Sequence, residues 1–390
     1  VSYSCVNLMT NGGSSQNAWM TAQDTSFPSY NVPVALNSFP ATFYFDYDQD
    51  GKKDLIAALN NATSGEDRDA IWFYKNTSNV PGQHFFELQT KNIFSVDMID
   101  MGTSAHPAFA DVNADGLLDL VVGNYGYFSF INGNSVFTNS RLVLFLNVGT
   151  PTEPAFDLAD DDFAGLSQFA PGDFDFSPTF GDIDGDGDLD LLVGNNIGGI
   201  YCYRNIAGPN QPFILQYDTN PMWLDLDVIG SISTPIVYDL DQDGLQDLVL
   251  GERAGDINFF KNMGTLSDPF YEVAPTVQKI GQINTRTPPE VVGMSTPVII
   301  TTPDGPILVT GAQRGHLEAY ELLGATQDTF PNISKRWGNI DEGNRSHPAF
   351  ADLDNDGKLE MVIGNQRGGL AMYRTELVDC AVSVSTIAPN

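Results

Sequence analysis

The chain has 390 residues, with 50 acidic against 18 basic side chains and a net charge of −32 at pH 7. Nucleic-acid binding is excluded, because such a chain has no basic stripe to neutralise phosphates. No apolar run reaches the roughly 18–20 residues that a membrane-spanning helix needs, so no transmembrane segment is predicted.

The first repeated feature is an acidic nonapeptide at residues 46–54, and four further copies begin at residues 111, 182, 239 and 352. Oxygen-bearing side chains occupy positions 1, 3, 5 and 9 around a glycine at position 6. Ca²⁺ takes six to eight oxygen ligands, and the glycine permits a sharp turn. The pattern predicts five calcium loops, numbered 1 to 5 along the chain. Their predicted ligands are Asp46, Asp48, Asp50 and Asp54; Asp111, Asn113, Asp115 and Asp119; Asp182, Asp184, Asp186 and Asp190; Asp239, Asp241, Asp243 and Asp247; and Asp352, Asp354, Asp356 and Glu360.

Short apolar runs on both sides of each loop predict strands rather than the helices of an EF-hand. A run such as residues 120–123, Leu-Val-Val-Gly, follows each loop, and a strand opened by proline, such as residues 106–110, precedes four of them. A third, alternating strand follows, as at residues 200–205. Proline and phenylalanine after the third strand indicate a fourth, outer strand. The calcium loops are therefore predicted to connect the first and second strands of each unit.

A unit at residues 295–325 keeps its strands but has only Asp304 between the first two, so no metal site is predicted there. The repeat units are about 40–95, 105–160, 176–220, 233–275, 295–325 and 346–376. Four short strands repeated every 50–70 residues are typical of an all-β fold, the β-propeller. A single propeller domain over 1–390 is predicted. Seven blades are favoured, with both termini completing the last blade, and six blades are the alternative.

The three cysteines fit no zinc spacing. Cys202 lies in an alternating strand and is predicted to be a core residue. Cys5 and Cys380 lie near opposite ends of the chain, where closure of a ring could bring them together, so a disulfide between them and two free thiols both remain open.

No catalytic motif is present in the sequence. His106 and His347 occupy matching positions in two repeats, which favours a structural role, because a catalytic residue normally occurs once. An aromatic stretch at residues 125–137 is predicted to be a long, exposed loop between second and third strands. Such a loop suits stacking on a glycan or contact with a protein, and the alternative is that its aromatic side chains fold over the propeller's own edge. The candidate partner-binding residues are Tyr125, Tyr127, Phe128 and Phe130.

The five loops, together with strings such as Phe145-Leu-Asn-Val-Gly-Thr150, resemble those of FG-GAP/VCBS repeat proteins, whose blades are similar to integrin α-subunit propellers. The resemblance covers residues 40–376. Within that group the chain is most similar to large Bacteroidetes proteins secreted by the type IX pathway, although no sorting domain is visible. The resemblance implies a Ca²⁺-stabilised propeller that is secreted or displayed at the cell surface.

The predicted function is binding of an extracellular or envelope protein, or of a glycan, in adhesion or surface assembly. No enzymatic activity is predicted. Two alternatives stay open. One is a polysaccharide-active lyase or hydrolase, which a single, non-repeated cluster of Asp or Glu with Tyr or Arg in the central depression would favour. The other is a structural subunit of a larger envelope or secretion complex.

Overall fold

The computed structural model describes residues 4–36, 39–60, 69–80, 83–94, 98–131, 134–138, 140–170, 172–226, 231–325 and 327–378. These residues form an all-β protein of small antiparallel sheets. None of their helices is long and apolar enough to cross a membrane. The chain divides into two compact units, with residues 1–102 and 127–138 in unit 1 and residues 103–126 and 139–390 in unit 2.

Unit 1 contains a two-stranded sheet and a four-stranded sheet whose strands pair in the order in which they follow one another in the sequence. Its buried core includes Phe27, Val34, Trp72 and Tyr74. The strands are β1 (Val6–Asn11), β2 (Met20–Phe27), β3 (Ala41–Phe45), β4 (Asp54–Ala58), β5 (Ile71–Asn76) and β6 (Phe86–Thr90).

Unit 2 contains five sheets. The first is formed by β7 (Thr103–Ala110), β8 (Asp119–Ile131), β10 (Leu142–Asn147) and β11 (Phe156–Asp160). The end of β8 continues into unit 1, where it pairs with β9 (Asn134–Thr138). The second sheet is β12 (Ser177–Gly181), β13 (Asp190–Gly194), β14 (Ile200–Asn205) and β15 (Leu215–Tyr217). The third is β16 (Thr234–Val237), β17 (Leu248–Gly251) and β18 (Ile257–Phe260).

The fourth sheet is β19 (Thr296–Thr302), β20 (Gly305–Gly311), β21 (Leu317–Glu321) and β22 (Asn332–Ser334), and the fifth is β23 (His347–Ala351), β24 (Glu360–Gly364) and β25 (Leu370–Arg374). The helical segments among the described residues are α1 (Leu166–Phe169) and four 3₁₀ turns, Phe163–Gly165, Pro221–Trp223, Ile280–Gln282 and Trp337–Asn339. Buried side chains pack between successive sheets, as Leu192 and Cys202 do with Leu248 and Phe260. Cys202 is a core residue, as predicted.

The first strands of the five sheets contact one another in a cyclic order: β7, β12, β16, β19, β23 and again β7. Backbone hydrogen bonds repeat at each junction. The N–H of Phe176 donates to the carbonyl oxygen of Asn124, and at the closing junction the N–H of Ala105 donates to that of Asn365, at 3.0 Å in both cases. Unit 2 is therefore a β-propeller whose sheets close on themselves after five, whereas seven, or alternatively six, were predicted for the chain.

A glycine lies at one equivalent position of the second strand in each of these five sheets, because the next sheet approaches its backbone closely. A Cβ added at Gly364 would lie 1.9 Å from the carbonyl oxygen of Ala105, and one at Gly194 would lie 2.0 Å from that of Ser233. Gly123, Gly251 and Gly311 make equivalent approaches, at 2.0–2.3 Å. In unit 1 the corresponding residue of β4 is Ala58.

Two further predictions concern the aromatic stretch at residues 125–137 and the pair Cys5 and Cys380. The aromatic stretch 125–137 was predicted to be a loop, but β8 runs through it and pairs with β9, with Ile131 opposite Asn134. Asn132-Gly133 separates these residues in the sequence, and this dipeptide is typical of two-residue hairpin connections. The possible Cys5–Cys380 disulfide stays untested, because Cys380 lies outside the described residues.

Candidate functional site

The five acidic loops lie between the first and second strands of their sheets, as predicted. Loop 1 belongs to unit 1 and loops 2–5 belong to unit 2. Between the first two strands of the remaining sheet, β19 and β20, Thr302 pairs directly with Gly305, so the tight turn has no room for an equivalent loop.

The backbone of each loop turns around its glycine. Gly51, for example, has a φ of +84°, which favours glycine, and its N–H donates to Asp46 Oδ2 at 2.9 Å. The same bond, from the residue at position 6 to the carboxylate at position 1, occurs in the other four loops at 2.9–3.1 Å. The first carboxylate thus has one oxygen fixed by the loop itself.

The carboxylate at position 9 is buried in all five loops. In loop 3, Asp190 Oδ2 accepts the N–H of Ile183 at 3.0 Å and Oδ1 accepts that of Asn205 at 2.8 Å. Asp190 therefore links loop 3 to the third strand, β14, through a hydrogen bond. Burial raises the pKa of Asp190 to about 7, and that of Asp247 in loop 4 to about 6, because desolvation penalises the charged form. A bound cation would offset this penalty.

Carboxylates converge in four of the loops, with one oxygen from each of three residues within 4.8 Å of the others. Three buried carboxylate oxygens, Asp46 Oδ1, Asp184 Oδ1 and Asp352 Oδ1, have no hydrogen-bond donor in the described structure. Buried acceptors are normally satisfied, so these oxygens fit a hard cation. The convergent groups are Asp46, Asp48 and Asp50; Asp182, Asp184 and Asp190; Asp239, Asp241 and Asp247; and Asp352, Asp354 and Asp356.

A basic side chain from the third strand contacts four of the loops. Arg204 lies 2.9 Å from Asp184 in loop 3, and Lys261 forms ion pairs with Asp241 and Asp243 in loop 4. Lys75 pairs with loop 1 and Arg374 with loop 5. In loop 2 the equivalent residue is Leu146, and position 3 is the neutral Asn113. A basic side chain and a third-position aspartate are thus present or absent together, which indicates that the basic side chain balances the loop charge.

We expect Lys261→Met to raise the calcium affinity of loop 4 by roughly two- to fivefold, because the lysine competes with the metal for Asp241 and Asp243. Hydrogen bonds to these two residues raise the pKa of Lys261, so it is charged at neutral pH. Calorimetric titration with CaCl₂ measures the change. Lys279→Met is the control, since Lys279 pairs with Asp256 away from the loops. An unchanged or weaker affinity in Lys261→Met would refute competition.

A second group of polar residues lies where the first strands of unit 2 begin. His106 Nε2 is 3.1 Å from Asp175 Oδ1, and Ser177 Oγ is 3.3 Å from His347 Nε2. The two imidazole rings are 4.2 Å apart between centroids. β12 and β23 are not neighbours in the cyclic order, so the contact between Ser177 and His347 crosses the interior of the ring. We call His106, Asp175, Ser177, Arg345 and His347 the central cluster.

Five equivalent residues, located where the first strands of unit 2 begin, share a left-handed backbone, although none is glycine. Their φ angles are +52° to +62°, which is unusual for side chains that are branched or bulky. Because all five share it, the conformation belongs to the ring geometry, whereas the side chains differ from sheet to sheet. The five residues are Ser104, Asp175, Ile232, Met294 and Arg345. Asp175 and Arg345 therefore occur once each.

Aromatic residues adjoin the central cluster. The Tyr125 ring stacks on Phe174 with centroids 5.6 Å apart, and the Arg345 guanidinium lies 5.7 Å from the Tyr125 centroid. Of the predicted partner-binding residues, Tyr125 thus lies in unit 2. Tyr127 and Phe128 lie in unit 1, in the hairpin of β8 and β9, and are partly buried. The side chain of Phe130 lies outside the described part of the structure.

We expect unit 2 to lose stability as the pH falls below about 6.5, because His347 is neutral in the folded state. Burial, together with the neighbouring His106, holds the pKa of His347 well below its usual 6.5. The unfolded chain then binds a proton that the folded protein does not, so acidification from pH 7 to 5 favours unfolding by about 2 kcal/mol. Urea unfolding in saturating calcium measures this loss, and His347→Asn should reduce it. Equal losses in both proteins would contradict the assignment.

A family model described as FG-GAP-like repeat matches residues 46–122, which contain loops 1 and 2. This match supports the resemblance to FG-GAP propellers. The comparison with curated proteins found no match.

Several solved structures are similar to this chain. A thermostable family-43 glycoside hydrolase is 11% identical, with a TM-score of 0.40, covering 71% of this chain and 92% of its own. An Agrocybe aegerita lectin specific for non-reducing terminal N-acetylglucosamine is 15% identical, with a TM-score of 0.34, covering 86% and 79%. The Dos1 propeller is 11% identical, with a TM-score of 0.30, covering 94% and 88%. Such low scores define no activity for this chain.

Proposed function

We propose that this protein is a calcium-stabilised β-propeller, secreted or displayed at the cell surface, that binds a protein or a glycan. The observation that carries the calcium assignment is the set of buried carboxylate oxygens without donors in loops 1, 3 and 5. Bound Ca²⁺ would neutralise converging carboxylates and hold each turn rigid. Five divalent ions would add ten positive charges and change the net charge from −32 to about −22.

The repetition of the loops favours a structural role for these ions, because a metal ion that coordinates a ligand directly usually occupies one site in a protein. The binding function is then assigned to parts of the propeller that do not repeat. The hairpin of β8 and β9, with Tyr127 and Phe128, is one such part and remains a predicted partner surface. The central cluster with Tyr125 is the other.

Immobilised protein, incubated with a glycan panel and with extracellular proteins of the source organism, tests this proposal. We expect a specific macromolecule to be retained in 1 mM Ca²⁺ and released by chelator. Calorimetry on the same preparation should detect calcium binding at more than one site. Retention that chelator does not change, combined with no calcium binding, would overturn the proposal.

A polysaccharide-active enzyme is the second candidate, because the central cluster combines a single Asp175 with Arg345 and Tyr125. Glycoside hydrolysis ordinarily uses two carboxylates about 5–10 Å apart. Asp173, which hydrogen-bonds to Tyr201, is a candidate for the second. Incubation with polysaccharides distinguishes the two functions. Shortened chains that are lost in Asp175→Asn favour the enzyme, and retained but intact chains favour the binding protein.

A further inference from the structure

Three arginines without carboxylate partners lie in unit 2, after β17, β18 and β24. In the part of the chain that the structure describes, every arginine forms an ion pair except Arg253, Arg286 and Arg367. All three are exposed. Unpaired guanidinium groups are unexpected in a protein with 50 acidic residues, where carboxylates are abundant. Their lack of ion pairs therefore requires an explanation other than charge balance within the chain.

Backbone hydrogen bonds place these arginines along the same rim. The carbonyl of Arg253 accepts the N–H of Gly293, and the carbonyl of Gly293 accepts that of Gln313. The carbonyl oxygen of Gln313 in turn accepts the N–H of Arg345. The carbonyl oxygen of Asn344 accepts the N–H of Gln366, which is next to Arg367. Arg286 adjoins this series, because the N–H of its neighbour Thr285 donates to Gly255. We call the surface formed by Arg253, Arg286, Arg345 and Arg367 the arginine rim.

Arg345 links the rim to the interior. Its side chain is 22% exposed, its Nε is buried without an acceptor, and its NH1 lies 3.7 Å from Asp175 Oδ2, which is beyond hydrogen-bonding distance. Nearby, the Nδ1 of the buried His106 also has no partner. Guanidinium groups bind carboxylates through two parallel hydrogen bonds, and Arg345 retains donors for such a contact.

We propose that the arginine rim binds a carboxylate-bearing saccharide chain, such as a polyuronate. Arg345 and Arg367 bind the carboxylates, and the Tyr125–Phe174 pair supplies an aromatic surface against which a sugar ring packs. The stacked aromatic pair beside Arg345 favours a saccharide over an acidic peptide. The inference rests on the proposed binding function and gives it a ligand class.

Calorimetry with hexagalacturonate in 1 mM Ca²⁺ tests the proposal, and the fully methyl-esterified oligomer is the neutral control. We expect the acid form to bind, the ester to bind at least about tenfold more weakly, and the affinity of the acid form to fall with added salt. Arg345→Gln should weaken binding by about tenfold or more, and Arg367→Gln by roughly two- to fivefold. Lys91→Gln removes a charge of the same sign in unit 1, where Lys91 lies over the Trp72 ring, and should leave the affinity unchanged.

Arg367 is exposed and unpaired, so Arg367→Gln stays informative even if Arg345→Gln fails to fold. Equal affinity for the acid and the ester, or no effect of Arg367→Gln, would overturn the inference. So would equally tight binding of a polyglutamate of the same charge, which would instead indicate an acidic protein partner. If neither oligomer binds while chelation still lowers the melting temperature, the saccharide assignment fails and the calcium assignment stands.

Discussion

Removal of calcium by a chelator is expected to lower the melting temperature of this protein by roughly 2–9 °C. Extracellular calcium sites bind with Kd values of about 0.1–1 mM, so 1 mM Ca²⁺ stabilises the folded state by about 0.4–1.4 kcal/mol per site. Five sites give about 2–7 kcal/mol. An unfolding entropy of about 2.1 cal/mol/K per residue, over 390 residues, converts this energy into the temperature range given.

Thermal unfolding in 1 mM CaCl₂, and again in excess EGTA, measures the effect. Addition of calcium beyond the chelator should restore the higher temperature. The same concentration of Mg²⁺ should restore less, because Mg²⁺ demands a near-ideal octahedral site and gives up its water reluctantly. A melting temperature that EGTA changes by less than about 1 °C would contradict a structural role for the loops as calcium sites.

The second large effect is expected from Gly364→Ala, which places a methyl group at the closing junction of unit 2. The new Cβ would lie 1.9 Å from the carbonyl oxygen of Ala105 and 3.0 Å from its side chain. The nearest atom is backbone, so no change of rotamer can relieve the overlap. The hydrogen bond from Ala105 N–H to Asn365 would also be strained. We expect a loss of about 3 kcal/mol or more in the free energy of unfolding, which lowers the melting temperature by roughly 4 °C or more.

Gly369→Ala is the matched control, because it adds the same methyl group between β24 and β25, where a Cβ would meet no atom within 4 Å. This variant should melt within about 1 °C of the parent protein. Urea unfolding of both variants in saturating calcium separates the junction from the metal sites. A Gly364→Ala protein as stable as Gly369→Ala would show that the sheets do not close through this contact.

The strands and acidic loops were predictable from sequence because their signals are local. An apolar run ending in glycine, an acidic nonapeptide and a proline-led strand each specify their own few residues. The absence of an acidic loop from the unit at residues 295–325 was also predictable from the sequence. The segment from Thr302 to Gly305 leaves room only for a tight turn. Whether the loops hold calcium remains a prediction that rests on their oxygen atoms.

The number of sheets in the ring was mispredicted because ring closure was assigned to the two chain ends. A local signal for five was nevertheless present in the sequence. One position of the second strand is glycine in all five sheets of unit 2, namely Gly123, Gly194, Gly251, Gly311 and Gly364, whereas in unit 1 it is Ala58. Only a structure shows that the backbone of the next sheet approaches this glycine. From the sequence alone, alanine at position 58 appeared to be an exchange of one small residue for another.

The central cluster was missed for a different reason. His106 and His347 repeat, and repetition indicated a structural role, which their burial supports. Asp175 and Arg345 do not repeat, but they are 170 residues apart in the sequence. They come near each other only because the ring brings β12 and β23 to its interior. No spacing rule joins such residues, so the arginine rim could not be predicted without the fold.

The closing junction also sets an order for biosynthesis. Ser104 and Ala105 donate to the carbonyls of Gln366 and Asn365, so the first sheet of unit 2 lacks its neighbour until the last sheet has been made. The separation is 260 residues, from 105 to 365. At about 5–20 residues per second, translation of that stretch takes roughly 13–52 s. During this interval the exposed edge of β7 can pair with another nascent chain, so chaperone binding is most useful to this protein before β24 emerges.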